Sequence, residues 1–157
     1  MVGREKEIEL LSKIYSSEKP ELLAVFGRRR VGKTFLIRSF FKEKIDFELS
    51  GLKNISKGQQ LRNFSFSLKD AQKLDELPKP PLDWLDAFYQ LKIFLESLHN
   101  DDRRRVVFLD EVPWLASGKS DFIAGLSYFW NSYASKCKCS GCHLWFCYGL
   151  DDSKNNQ

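Results

Sequence analysis

Two kinds of hydrophobic spacing occur along this chain, and they predict different elements. Uninterrupted apolar runs at residues 22–26 and 106–109 are typical of strands that are buried on both faces of a parallel sheet. Phe47 and Leu49, separated by one polar residue, predict another strand that is closed by Gly51. The pattern therefore predicts three strands, with long intervals between them.

Within those intervals, apolar residues recur every three or four positions, which predicts amphipathic helices. The clearest such segment is residues 84–98, with Asp83 before it as a candidate N-cap. Ser56 and Gln59 form a candidate capping box for a helix that continues to residue 68. Residues 8–15, 34–41 and 122–133 show the same spacing, the last with Ser120 or Asp121 as its cap. Strands alternating with helices predict an α/β fold with a parallel sheet flanked by helices.

Composition narrows the class of protein without deciding it. The 157 residues are 43% hydrophobic and 29% charged, with a net charge of +4. They contain no apolar run near the roughly 20 residues that cross a bilayer. Residues 1–15 are charged and amphipathic, unlike a secretory signal. We therefore expect a cytoplasmic globular protein with no membrane partner.

The strongest chemical motif follows the first predicted strand and precedes a predicted helix. It fits the G-x-x-x-x-G-K-[ST] pattern at every fixed position. Its glycines let backbone N–H groups converge on a phosphate at a helix N-terminus. Lys33 would contact the β- and γ-phosphates of a nucleotide such as ATP, and the Thr34 hydroxyl would be a ligand of Mg²⁺. The motif consists of Gly27, Arg28, Arg29, Arg30, Val31, Gly32, Lys33 and Thr34.

Two adjacent acids end the third predicted strand, at the edge where open α/β sheets bind ligands. Asp110 would hold Mg²⁺, and Glu111 would orient and partly deprotonate an attacking water. A pair of acids alone is a weak signal, because strands often end in solvated carboxylates. Together with the phosphate loop, Asp110 and Glu111 predict an ATP site that contains a metal ion.

With these motifs in place, the chain resembles the AAA-type ATPases of the archaeal ATPase group, which are close to the STAND signalling ATPases. The resemblance covers residues 2–135, and it is carried by a V-G-R-E box at residues 2–5, the phosphate loop and L-D-E-V-P-W at residues 109–114. It implies a P-loop NTPase sheet of order 5-1-4-3-2 and ATP hydrolysis or ATP-gated switching. It also implies that Gly3 and Arg4 lie near the adenine. Without the resemblance, residues 2–5 are a charged helix cap.

The chain departs from this family after residue 135. The family continues with a fourth strand, a fifth strand and a helical lid, none of which is recognisable here. We therefore expect a P-loop ATPase domain over residues 1–135, with a sheet truncated after the third strand and the following helix. Residues 136–157 would be an atypical Cys-rich tail, although residues 144–148 are apolar enough to form a substitute strand between strands one and three.

Three interpretations of this tail stay open. Cys139, Cys142 and His143 have the spacing of zinc ligands. Alternatively, Cys137, Cys139, Cys142 and Cys147 are free thiols. The tail is also compatible with translation out of frame. Reading one base forward from residue 136 can restore a Val-rich strand that ends in C-G-S, and the single Trp codon at position 145 must then yield the expected glycine.

The leading functional hypothesis is an ATP-binding module with Lys33, Thr34, Asp110 and Glu111 as its working residues. Catalysis is in doubt because of the altered tail, so the alternatives are a nucleotide-dependent signalling switch with little turnover and a nonfunctional remnant. A nucleic-acid binder that uses residues 28–30 and 103–105 ranks last, since Arg clusters beside strands are usually solvated. No protein partner is indicated.

Overall fold

The protein is described by a computed structural model that covers residues 4–27, 31–98, 103–136 and 144–151. Its strands are β1 (Glu21–Gly27), β2 (Ile45–Ser50), β3 (Arg105–Asp110) and β4 (Leu144–Asp151). Its helices are α1 (Glu5–Tyr15), α2 (Lys33–Phe41), α3 (Lys57–Gln72), α4 (Trp84–Ser97), α5 (Val112–Leu115) and α6 (Phe122–Ser132). Short 3₁₀ turns follow α2 at Lys42–Lys44 and α6 at Ala134–Lys136. Among these residues, no helix combines the length and apolar character needed to cross a membrane.

All strand pairs in the described sheet are parallel, and the strand order is β1-β4-β3-β2. The three strands predicted from the sequence are confirmed, and so is the α/β class. The expectation that the sheet is truncated after its third strand is wrong, because β4 lies between β1 and β3. The alternative, a substitute strand at residues 144–148 in that place, is confirmed. An extended chain at this place supplies hydrogen-bonding partners to main-chain groups of both neighbouring strands, which would otherwise be unpaired in the middle of the sheet.

Helices cover both faces of the sheet, and the side chains of β3 alternate between them. Val106 and Phe108 pack in one hydrophobic cluster with residues of α1 and α2. Val107 and Leu109 pack in the other cluster, with residues of α3, α4, α5 and α6. Every residue of β3 is buried, which explains why residues 106–109 form an uninterrupted apolar run.

The predicted helix starts are largely confirmed. Ser56 and Gln59 form the capping box of α3, and the Asp83 carboxylate accepts a hydrogen bond from the Asp86 N–H at 2.8 Å. Asp121 occupies the N-cap position of α6, but its side chain makes no capping hydrogen bond. The Ser120 hydroxyl accepts from the Phe122 N–H instead, at 3.2 Å.

Candidate functional site

The predicted site residues lie at the carboxyl-terminal edge of the sheet. β1 ends at Gly27 and β3 ends at Asp110, while α2 begins at Lys33 and packs over one face. Ligands of open α/β sheets bind at this edge, because loops and helix N-termini converge there. Arg28, Arg29 and Arg30 fall outside the described residues.

Gly32, the second glycine of the phosphate-loop motif, has a left-handed backbone conformation. Its φ is 79°, a value that glycine adopts without the steric cost other residues incur. It is the N-cap of α2 and provides no side chain to cap the helix. The Leu36 N–H donates to the Gly32 carbonyl oxygen at 2.9 Å, which begins the intrahelical ladder. The first turn of a helix is in general the place where N–H groups without an intrahelical partner can bind an anion.

The structure brings Thr34 into direct contact with Asp110, 76 positions later in the chain. The Thr34 hydroxyl donates to Asp110 Oδ2 at 2.7 Å, and Asp110 is only 7% exposed. A hydroxyl has one hydrogen to donate and two lone pairs. Because that hydrogen points to Asp110, the lone pairs of Thr34 Oγ1 stay available to a cation.

Glu111 follows Asp110 in a tightly held turn. Its N–H donates to Asp110 Oδ1 at 3.0 Å, and its carbonyl oxygen accepts from the Trp114 N–H at 2.9 Å. Its φ of 52° lies in the left-handed region, which costs energy for a residue with a side chain. A strained residue held by its neighbours at a sheet edge is a feature of functional sites.

Gly51 is a site residue whose role the sequence pattern did not indicate beyond closing a strand. Its N–H donates to the Asp110 carbonyl oxygen at 2.9 Å. A β-carbon at position 51 would lie 2.5 Å from the Glu111 carbonyl oxygen and 3.0 Å from Leu115 Cγ. Glycine directly after a strand is a signal of such close approach, but the sequence does not say which backbone approaches.

Arg4 connects the start of α1 to the phosphate loop. Its guanidinium Nη2 donates to the Val31 carbonyl oxygen, and its Nη1 lies 3.6 Å from Glu7 Oε1. The same Nη2 would be 3.9 Å from a β-carbon at Gly32. Arg4 is thus beside the loop, whereas Gly3 lies outside the described residues.

The donor atoms at this site suit a hard cation. Thr34 and Asp110 offer a hydroxyl and a carboxylate, the oxygen ligands that Mg²⁺ prefers. Among the described residues, no cluster of three or more His, Cys, Asp and Glu side chains could hold a metal. The zinc ligands considered above, Cys139, Cys142 and His143, lie outside those residues.

The Arg cluster before β3 has a structural role. Arg104 and Arg105 are only 7% and 5% exposed. Arg104 donates to the carbonyl oxygens of Ile14 and Lys19, both at 3.2 Å. Arg103 Nη2 lies 2.6 Å from Asp46 Oδ1, and Arg105 Nη1 lies 3.6 Å from the same oxygen. Two of these three cations are therefore not placed to contact a nucleic-acid backbone.

Comparison with known proteins identifies the family to which the chain belongs. A family model described as an ATPase domain predominantly from Archaea matches residues 1–141. The chain belongs to this ATPase family. Over 43 residues it is 44% identical to an uncharacterized ATP-binding protein of Methanocaldococcus jannaschii, a match that covers 27% of this chain and 73% of that protein.

The fold of this ATPase domain also resembles a solved structure, the Walker-type ATPase of Pyrococcus abyssi. The TM-score is 0.62 with 20% sequence identity, and the match covers 95% of this chain. It covers 45% of the Pyrococcus chain, so the domain spans less than half of that protein's length. At this identity the likeness shows a shared fold.

Proposed function

We propose that this ATPase domain binds ATP together with Mg²⁺ at the edge formed by Gly32, Lys33, Thr34 and Asp110. The observation that carries the proposal is the 2.7 Å contact between the Thr34 hydroxyl and the Asp110 carboxylate. It joins the end of the phosphate loop to the acidic strand end, so both halves of a metal-nucleotide site share one location.

Each residue has a role that follows from its chemistry. The N–H groups at the start of α2 and the Lys33 ammonium would bind the phosphates, with Arg28, Arg29, Arg30 and Val31 forming the loop. Thr34 and Asp110 would hold Mg²⁺, which supplies positive charge against the phosphate oxygens when it is bound. Arg4 would line the same pocket, beside Gly3.

Glu111 is our candidate for the residue that orients water for hydrolysis. Its backbone is fixed by hydrogen bonds to Asp110 and Trp114, and a carboxylate next to the metal ligand can accept the proton of a water molecule. We assign the domain to the AAA-type branch, close to the STAND ATPases. The strand order β1-β4-β3-β2 supports this assignment, because it equals the implied family order without the fifth strand.

One observation favours a second candidate, a nucleotide-dependent switch with little turnover. The family match ends at residue 141, before β4 begins at Leu144. The strand between the two site-bearing strands β1 and β3 thus lies outside the matched part. Its altered sequence would affect the spacing of the phosphate loop and Asp110, to which hydrolysis is more sensitive than binding.

Calorimetric titration with ATP and Mg²⁺ tests the proposal. The chain should bind, and Lys33→Ala should lose at least about tenfold in affinity because a charge-assisted contact to phosphate is removed. Lys79→Ala is the matched control, because Lys79 is an exposed lysine between α3 and α4. Equal ATP affinity in the unaltered chain, Lys33→Ala and Lys79→Ala would contradict the assigned site. A folded chain that does not bind ATP would contradict the proposed function.

Turnover separates the two candidates. Phosphate release that continues over many cycles and is lost in Glu111→Gln would support an ATPase. Retention of ADP after at most one cycle would support the switch.

A further inference from the structure

A second polar contact joins α2 to the sheet, one helical turn after Thr34. Arg38 Nε donates to Glu48 Oε1 at 2.8 Å, and Arg38 Nη2 donates to the same oxygen. Residues i and i+4 lie on one face of a helix, so Thr34 and Arg38 point in a common direction. The sequence pattern did not indicate this pair, because Glu48 occupies the polar position of an ordinary alternating strand.

The two contacts reach adjacent strands on the same face of the sheet. Phe47 and Leu49 belong to the cluster on the α3–α6 side, so Glu48 and Ser50 project to the α2 side. In the β2–β3 register, Ser50 is the partner of Asp110. Glu48 is therefore two residues before the position that lies beside the candidate metal ligand.

We infer that Arg38 is a positioning residue for the Mg²⁺ site, since its contact with Glu48 holds α2 at the register in which Thr34 meets Asp110. The inference rests on the proposed function. With Thr34 bound to β3 and Arg38 bound to β2, α2 has two polar attachments to the sheet, one turn apart, beside the packing of its apolar side chains. Two attachments restrict both rotation and sliding of the helix, whereas the Thr34 contact alone restricts them less.

The guanidinium of Arg38 also carries a positive charge near Asp110. Arg38 could therefore influence Mg²⁺ binding through its charge alone, and the experiment has to exclude this explanation. The hydrogen bond from Arg38 to Glu48 raises the pKa of Arg38, burial opposes that change, and the charges of Glu48 and Asp110 add to it. If Arg38 acted only through its field, its removal would make the site more negative and strengthen Mg²⁺ binding. If it positions α2, its removal weakens Mg²⁺ binding. The two explanations predict opposite signs.

The contact between Arg38 and Glu48 is partly exposed to solvent, and this limits how much it can contribute to Mg²⁺ binding. The side chains of Arg38 and Glu48 are 55% and 29% exposed, and they line a groove of about 620 Å³ beside β2, the edge strand of the described sheet. Ion pairs of this exposure contribute at most about 1 kcal/mol, or about fivefold in an equilibrium constant. Added salt should reduce that contribution.

The experiment measures the ratio of ATP affinity with Mg²⁺ to ATP affinity with EDTA, in the whole chain. Arg38→Met should lower this ratio by up to about fivefold. Arg38→Lys keeps the charge but loses the planar two-nitrogen contact, so it should lower the ratio by about twofold. Arg62→Met is the matched control, because Arg62 is an exposed arginine of α3 whose guanidinium stacks over Phe66, and it should leave the ratio unchanged.

The outcomes separate this inference from the proposed function. If the unaltered chain fails to bind ATP, the proposed function fails. If it binds and Arg38→Met leaves the ratio unchanged or raises it, the positioning role is wrong while the function stands. A purely structural role would lower the thermal stability of Arg38→Met without changing the ratio. If Arg38→Met does not fold, Arg38→Lys distinguishes the two explanations. Lysine keeps the positive charge, so an effect of charge alone would leave the ratio unchanged, whereas a positioning role predicts a lower ratio.

Discussion

The backbone of Gly51 lies against the carbonyl oxygen of Glu111, so close that a β-carbon at position 51 would be 2.5 Å from that oxygen. The end of β2 and the turn after β3 therefore fit together only with glycine at this place. Glu111 is the residue that we assign to orient water. The end of β2 contributes no predicted catalytic side chain, but Gly51 helps to determine where the backbone of Glu111 lies.

Gly51→Ala should consequently disturb the turn that contains Glu111. We expect a loss of about 1–3 kcal/mol in the free energy of unfolding, as in other overpacked sites, measured by urea denaturation. Gly58→Ala is the control, because the nearest atom to its added β-carbon would be Ser56 Oγ at 4.0 Å. That helical substitution should be neutral or stabilising. A Gly51→Ala protein as stable as the Gly58→Ala protein would contradict the tight fit.

Thr34→Val tests the contact on which the proposed function depends. Valine keeps the shape of threonine but removes the hydroxyl, and so leaves the buried Asp110 carboxylate without this donor. An unmade hydrogen bond of this kind costs about 1–3 kcal/mol. We expect the Mg²⁺-dependent part of ATP affinity to fall at least about fivefold, with little change in EDTA. Thr34→Ser restores a hydroxyl and should retain most of the Mg²⁺ effect; equal losses in both variants would argue against a role for the hydroxyl.

Asp46 should be essential for stability, far from the nucleotide site. Its side chain is 1% exposed, and its oxygens contact Arg103, Arg105 and the Val106 N–H, the last at 2.8 Å. Removing one partner of a buried ion pair costs about 3–5 kcal/mol, and here the Arg105 charge would remain buried whereas Arg103 is 39% exposed. Asp46→Ala should therefore unfold at a much lower urea concentration. Asp70→Ala, at an exposed position of α3, serves as the control. A loss below about 1 kcal/mol for Asp46→Ala would show that water replaces its contacts.

Acid should weaken the attachment of α6 to α3 through Asp121. Burial pushes the pKa of Asp121 upward, but the hydrogen bond and charge of Lys57 and the nearby backbone N–H groups outweigh it, so the pKa falls below its ordinary value of 3.8. Lys57 Nζ lies 2.8 Å from Asp121 Oδ1. A lowered pKa in the folded state stabilises the protein above the unfolded pKa, and this contribution is lost as pH falls through the folded pKa.

The measurement compares thermal unfolding of the unaltered chain and Lys57→Met between pH 7 and pH 3. The difference in stability between the two proteins should be small at pH 7, because both side chains are more than a third exposed. It should shrink further below about pH 4 as Asp121 loses its charge. A difference that grows at low pH would show that Lys57 acts through another contact.

The sequence predicted those structural features that depend on residues close together in the chain. The capping box of Ser56 and Gln59 and the Asp83 cap are interactions within a few residues, so their geometry follows from residue type and spacing. The uninterrupted apolar run of β3 likewise predicted a strand buried on both faces. These features identified the fold class and placed Asp110 at a strand end.

What the sequence by itself determined is therefore the set of elements and the kinds of groups at their ends. Only the tertiary structure decided which of those groups meet. The Thr34 hydroxyl donates directly to the Asp110 carboxylate 76 residues away, and Arg38 of α2 contacts Glu48 of β2. β4 pairs with β1 and β3, a place that the sequence offered only as an alternative to a truncated sheet. The physical reason is that such contacts depend on strand order and helix placement. These are set by the pairing of main-chain groups and the packing of side chains over the whole domain, and no short stretch of sequence specifies them.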